Sequence, residues 1–64
     1  HEDVALSYAN IALVYEDRGD LEQALIYFHK AANVIRNILP SDHRTVIRIE
    51  NDIQRVSSIN HVDR

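Results

Sequence analysis

The chain has 64 residues, one glycine, one proline and no cysteine, and its formal net charge is −3. A unit of this size buries only roughly 60% of its unfolded surface, so we expect a partner surface to help stabilise it. The absence of cysteine excludes disulfides and thiolate metal sites and favours a cytoplasmic location. Scattered lysines and arginines exclude a basic nucleic-acid surface, no apolar run could span a membrane, and the single glycine excludes a glycine-rich phosphate loop. Because the chain begins with His1 and no signal-peptide pattern, we expect an excised fragment or a processed product.

The first helix is predicted over residues 3–17, where apolar residues recur at helical spacing. Asp3 can cap its start, because a carboxylate accepts the free amide hydrogens of a first turn. The predicted core stripe consists of Val4, Tyr8, Ile11, Ala12 and Tyr15. A different face is also apolar, with Leu6, Ala9 and Leu13. A helix that is apolar on two sides is expected to have neighbours on both.

A short turn around Gly19 leads to a second helix, predicted over residues 21–39. Gly19 can adopt the left-handed conformation that closes a helix, and Asp20 suits the N-cap of the next one, with Gln23 three residues on. So short a connection predicts an antiparallel pair. Pro40 is expected to end the second helix. Its predicted core stripe is Leu21, Ala24, Leu25, Phe28, Ala31, Ala32, Ile35 and Leu39, with Tyr27, Val34 and Ile38 beside it.

A third helix is predicted over residues 42–58, capped by Ser41 or Asp42. Its apolar residues form one narrow stripe, with Ile47 and Ile59 flanking it: Val46, Ile49, Ile53 and Val56. The remaining positions are polar, so this helix resembles the capping helix that gives the end of a repeat array a polar outer surface. Residues 59–64 are expected to fray.

Part of the sequence recurs at a separation of 42 residues. His1, Val4, Ile11 and Val14 are repeated as His43, Val46, Ile53 and Val56, while Asn10 is answered by Asp52 and Ala5 by Ile47. These identities coincide with a predicted helix start and an apolar stripe, so they indicate an incomplete internal repeat.

The stretch from Ala5 to Ala32 resembles the tetratricopeptide repeat. The residues that carry the resemblance are Tyr8, Ile11, Ala12 and Tyr15 in the first helix, the Gly19-Asp20 turn, and Ala24, Phe28 and Ala31 in the second. Arg36 replaces the usual proline, and the helix continues into Leu39-Pro40-Ser41-Asp42-His43. That extension is similar to the 42-residue variety of kinesin light chains, although Pro40 and Arg44 depart from that variety's usual glycine and proline.

The resemblance implies an α-solenoid fragment, a right-handed superhelix of helix pairs that binds a protein or peptide. It implies that the first helix of each pair lines a concave groove, and the residues that would face it are Leu6, Ala9, Asn10, Leu13, Glu16 and Asp17, followed by Arg48, Asn51, Asp52 and Arg55. Asn10 matches the asparagine that bonds a bound peptide's backbone in many members, a task that suits a carboxamide. Asn10 could equally solvate the helix or bond across the seam between repeats. The first helix lacks the basic residues of the family's carboxylate clamp, so no clamp for acidic peptide termini is predicted.

No pattern in the chain indicates catalysis, a cofactor or a metal. The acids Glu16, Asp17 and Asp20 sit at a helix end without the alternating acids of a calcium loop. No two of the four histidines, His1, His29, His43 and His61, are paired at i, i+4, and no cysteine assists them. Ser57 and Ser58 lack a nucleophile elbow.

The sequence therefore predicts an all-α unit, an antiparallel helix-turn-helix hairpin plus a third helix, acting as a non-enzymatic scaffold for a protein or peptide. The alternative is a dedicated homo-oligomerisation module without a peptide ligand, in which the same surfaces build a helical dimer. Such arrays need at least about three repeats for stability. We accordingly expect homo-oligomers or stacking on neighbouring repeats, through the apolar residues Leu6, Leu13, Val14, Tyr27, Val34 and Ile38.

Overall fold

A computed structural model describes the backbone of residues 2–62 and the side chains of residues 3–59. This range contains three α-helices and no strand: α1 (Glu2–Asp17), α2 (Leu21–Arg36) and α3 (Arg44–Val62). The predicted all-α hairpin with a third helix is confirmed. Within the described residues, none of the three helices combines the length and apolarity that a membrane crossing requires.

The turn between α1 and α2 is closed by its own backbone hydrogen bonds. Gly19 has φ +85°, and its N–H donates to the carbonyl of Glu16 at 3.0 Å, while the N–H of Asp20 donates to that of Tyr15 at 2.9 Å. This pair of bonds is the Schellman arrangement that satisfies the last carbonyls of a helix. The Asp20 Oδ1 then accepts the N–H of Gln23 at 3.3 Å. The predicted roles of Gly19 and Asp20 are confirmed.

The second helix ends earlier than its apolar pattern predicts, at Arg36 rather than Leu39. The side-chain Nδ2 of Asn37 donates to the carbonyl of Asn33 at 3.0 Å, which is the carbonyl that the Asn37 N–H would meet in a continuing helix. The Asn37 N–H turns instead to Val34, and that of Ile38 to Ile35. The chain therefore tightens into turns before Pro40 is reached.

The third helix starts later than predicted, and neither Ser41 nor Asp42 caps it. The N–H of His43 donates to the carbonyl of Pro40 at 3.0 Å, so Ser41 and Asp42 form the centre of a turn. The Nδ1 of His43 accepts the N–H of Thr45 at 3.1 Å, and its carbonyl accepts the N–H of Ile47. His43 is thus the N-cap. The helix extends to Val62, past the predicted end at residue 58, while Asp63 and Arg64 lie outside the described residues. The expected fraying from residue 59 stays a prediction.

The core is built around α2, which packs against α1 on one side and α3 on another. One buried cluster consists of Ala5, Ala31, Ala32, Ile35, Val46 and Ile49. The other consists of Ala12, Ala24, Phe28 and Val56. Phe28 is fully buried and is the largest side chain in either cluster. The predicted core stripes of α2 and α3 are confirmed, with Leu21, Leu25, Leu39 and Ile53 half-buried. The flanking Ile38, Ile47 and Ile59 are exposed.

The face that α1 turns to α2 differs from the predicted stripe. Ala5 is fully buried, whereas Val4 and Ile11 are exposed. Small side chains allow two helices to approach closely, so alanines occupy the contact and the bulkier β-branched residues lie beside it. Tyr15 stacks on Tyr27 of α2 with ring centroids 5.6 Å apart, and Tyr8 lies tilted against the same ring at 6.1 Å. These tyrosines are half-buried packing residues at the α1–α2 contact.

Candidate protein-binding surface

The residues of α1 that the resemblance assigns to the groove lie on one side of the helix, next to its contact with α2. Leu6 and Leu13 are 43% and 40% exposed, which is high for leucine, and Asn10 lies between them. Asp17 is exposed at the end of the helix, whereas Ala9 and Glu16 are half-buried. The accessible part of this surface therefore consists of two leucines, one carboxamide and one carboxylate.

The assigned residues of α3 occupy matching positions in the repeat. Arg48, Asp52 and Arg55 follow Leu6, Asn10 and Leu13, respectively, by 42 residues. Arg48, Asn51 and Arg55 are exposed, and Asp52 is half-buried. Two basic side chains on α3 thus stand where α1 carries leucines.

Arg55 joins the two helices. Its Nε and Nη2 donate to the Oε2 and Oε1 of Glu16 at 3.1 and 2.7 Å, and its Nη1 donates to the Oδ1 of Asp52 at 2.6 Å. Two parallel hydrogen bonds fix the orientation of a guanidinium relative to a carboxylate, in addition to the attraction between their charges. The structure thereby brings together three of the predicted groove residues.

The electrostatic consequence is that Arg55 remains a cation. The hydrogen bond to Glu16, and after it the bond to Asp52, raises the pKa of the Arg55 guanidinium above its ordinary value. One cation facing two carboxylates leaves this cluster with an excess negative charge. A ligand carboxylate would have to displace Glu16 or Asp52 to reach Arg55.

The other polar groups of the surface are uncommitted. Within residues 3–59, the side chains of Asn10 and Arg48 form no hydrogen bond, so both can meet a ligand without breaking an internal contact. Arg48 lies in a shallow depression on α3 with Arg44, Ile47 and Asn51. A second open depression, at the end of α1, is lined by Leu13, Val14, Glu16 and Asp17.

These depressions are surface features rather than enclosed cavities, and they offer no cradle for a cofactor. Among the described residues, no three histidine or carboxylate side chains converge as metal ligands, and no buried side-chain nitrogen or oxygen lacks a hydrogen-bond partner. The side chains of His1 and His61 lie outside the described residues. The residues that line these depressions are suited to contact with the surface of another polypeptide chain.

Two ion pairs of the structure, one in the site and one outside it, have no counterpart in the sequence analysis. The contact of Arg55 with Glu16 depends on how α3 lies against α1, and the only sequence signal for it is the opposite charge of two residues on predicted groove positions. A second ion pair joins Arg36 of α2 to Glu50 of α3 at 2.8 Å. Both residues read as ordinary solvent-facing positions in the sequence.

Comparison with known protein families gives a match. The family model described as tetratricopeptide repeat matches residues 4–45. The matched stretch covers α1 from Val4 onward, the turn and all of α2, and it ends at the start of α3. No curated protein and no solved structure matches the chain.

Proposed function

The chain belongs to the tetratricopeptide repeat family, in its kinesin-light-chain-like variety, and from this premise we propose that it is a non-enzymatic scaffold that binds a peptide or partner protein through the concave side of α1 and α3. Repeats of this family are protein-interaction units. The observation that carries the proposal is the bidentate contact of Arg55 with Glu16, because it ties the two helices whose assigned residues would line one groove. The absence of cysteine is our reason for proposing a cytoplasmic setting.

The chemistry of α1 fits an extended peptide. The Asn10 carboxamide offers both a donor and an acceptor, which is what the backbone of an extended segment requires. Leu6 and Leu13 flank it by four and three positions and lie on the same side of the helix. An apolar ligand side chain that covers their exposed surface would remove that surface from water, which favours binding. We therefore propose that the ligand presents its backbone to Asn10 and apolar side chains to the two leucines.

The charges on this surface argue against a ligand that is anchored by its terminal carboxylate. Arg55 is already bonded to two carboxylates, and Asp17 adds a further negative charge near the same end of α1. Arg48 is the basic groove residue that no acid among residues 3–59 engages. An internal peptide segment fits this distribution better than a free chain terminus does.

The proposal can be tested without knowing the natural ligand. Peptides would be selected on the immobilised chain from a displayed library of random sequences, and the affinity of the best binder would be measured by calorimetry. Asn10→Ala should weaken binding by about tenfold, since each lost hydrogen bond contributes roughly 0.5–1.5 kcal/mol. Asn33→Ala is the matched control, because Asn33 is an exposed asparagine on α2. Equal effects of the two substitutions, or no selected binder at all, would contradict the proposal.

The alternative proposal, a homo-oligomerisation module without a peptide ligand, is favoured by exposed apolar residues on all three helices. They include Val14 on α1, Ile26 on α2 and Ile47 on α3, and Ile38 in the turn after α2 is exposed as well. Sedimentation of the chain distinguishes the two functions. A dimer whose contact shields Asn10 supports the module, whereas a monomer at high micromolar concentration speaks for the scaffold.

A further inference from the structure

We infer that neighbouring units stack on this chain from one side only: the open face of α1 takes the α2-type helix of another 42-residue unit, and the outer face of α3 does not accept one. This inference is independent of any peptide ligand. It follows from comparing α1 and α3 position by position across the 42-residue repeat.

The first step is that α1 carries, uncovered, three of the four apolar stripe residues by which α3 binds α2, while Ser7 stands at the position of the fourth, Ile49. Val46 and Val56 of α3 are buried to 1% and 0% exposure, and Ile53 packs against both core clusters. The residues 42 positions earlier are identical in type, but Val4, Ile11 and Val14 are 45%, 40% and 54% exposed. These three residue types are therefore covered by α2 on α3 and left open on α1.

The second step is that α3 lacks a copy of the surface by which α1 binds α2. Ala12 of α1 is fully buried in the cluster that contains Phe28, and its equivalent in α3 is the exposed Gln54. Tyr8 corresponds to Glu50, which is engaged by Arg36, and Tyr15 corresponds to Ser57. Covering Gln54 and Glu50 with an apolar helix would strip water from polar groups without replacing their hydrogen bonds.

The third step identifies the occupant of α1. In the observed contact, α3 lies on the surface of α2 that contains Ala31, Ala32 and Ile35. A second copy of this chain has that surface covered by its own α3, so it cannot supply it without releasing that helix. Two copies of α1 are also poor partners, because α1 is acidic at both ends and has no basic residue. The occupant is thus an α2-type helix, with alanines at these positions, from a unit that has not placed an α3 on it.

The test uses two tandem proteins of equal length. The first carries a copy of residues 1–42 fused ahead of His1, so that the new Asp42–His1 junction reproduces the Asp42–His43 sequence. The second carries residues 18–64 fused after Ile59, which is the repeat equivalent of Asp17. The two proteins differ only in their middle helix, which is residues 1–17 in the first and residues 43–59 in the second. Each is compared with the 64-residue chain by urea unfolding.

The first tandem should unfold in a single transition, with its midpoint about 1 M urea or more above that of the 64-residue chain. The midpoint of the second should not exceed that of the single chain. A second tandem as stable as the first, or no gain in the first, would overturn the inference.

Substitutions within the first tandem keep the inference testable if the second tandem is insoluble. Val14→Asp in the second copy of α1 should abolish the gain in midpoint, because that valine is covered by the preceding α2. The same substitution in the first copy should leave the midpoint nearly unchanged. Equal effects would overturn the inference, as would a concentration-dependent midpoint of the 64-residue chain that Val14→Asp removes, since a second copy would then be the occupant.

Discussion

Arg55 of α3 and Glu16 of α1 are 39 residues apart in the chain and are joined by hydrogen bonds of 2.7 and 3.1 Å. This ion pair is the polar link between the two helices proposed to form the binding face. Its geometry is bidentate, yet both side chains retain access to solvent. Solvent screening therefore limits what the pair contributes to stability, and its main effect is on the relative placement of α1 and α3.

A double-mutant cycle measures this contribution. Glu16→Gln and Arg55→Gln, alone and combined, should give a coupling free energy of about 0.5–1 kcal/mol in urea unfolding, and high salt should reduce it. The Arg36–Glu50 pair, which is more exposed, is the matched control and should give a smaller coupling. A coupling above about 2 kcal/mol would show that solvent screens the Glu16–Arg55 pair far less than its exposure indicates.

The turn residue Gly19 offers a second prediction. A Cβ at this position would meet no atom within 4 Å, so the cost of Gly19→Ala comes from the backbone conformation alone. With φ at +85°, we expect a loss of about 1 kcal/mol in the free energy of unfolding. Gly19→Asn should cost less, because asparagine tolerates the left-handed region. Thermal unfolding monitored by circular dichroism gives both values, and an unchanged stability of the alanine variant would contradict the assigned turn geometry.

A third prediction concerns the buried core residue Phe28, which lies on α2 in the cluster with Ala12 of α1 and Val56 of α3. Phe28→Ala should cost about 3–5 kcal/mol through lost burial and an unfilled cavity. A loss of that size is a large part of the total stability of a small domain, so the variant should be largely unfolded. Phe28→Leu should retain the fold with reduced stability. Ile26→Ala, at an exposed position of the same helix, is the control and should leave the circular dichroism spectrum unchanged.

The start of α3 depends on an N-cap that the sequence did not indicate. His43→Ala removes the acceptor for the Thr45 N–H and should cost about 1 kcal/mol. His43→Asp should recover the lost stability, since a carboxylate accepts the same hydrogen bond and its charge is favourable at a helix N-terminus. Ser41→Ala and Asp42→Ala should have little effect on urea unfolding. A larger loss of stability at Ser41 or Asp42 than at His43 would show that this residue, and not His43, caps α3.

The fold was predictable because two strong local signals agree. Gly19 and Asp20 mark the turn by backbone conformation and capping, and the spacing of Ala24, Phe28 and Ala31 marks the buried side of α2. The misses have local causes of a subtler kind. Asn37 diverts a carbonyl from the helix ladder, and His43 caps in place of the more usual serine or aspartate.

The binding face was less predictable than the fold. Its residues follow from the family resemblance, and most of them are exposed, as a binding surface requires. The pairing of Arg55 with Glu16 depends on the angle at which α3 lies across α1, which no local pattern encodes. The shift of the α1 contact from Val4 to Ala5 has a similar origin, because it reflects how closely two whole helices approach.

The central position of α2 has a consequence for the order in which the molecule opens. Detachment of α3 leaves α1 and α2 as a packed pair, and detachment of α1 leaves α2 and α3. Release of α2 leaves no such pair, since both clusters lose residues at once. The amide hydrogens in the middle of α2 should therefore exchange with solvent only when the whole chain unfolds, while those of the outer helices exchange through partial openings as well.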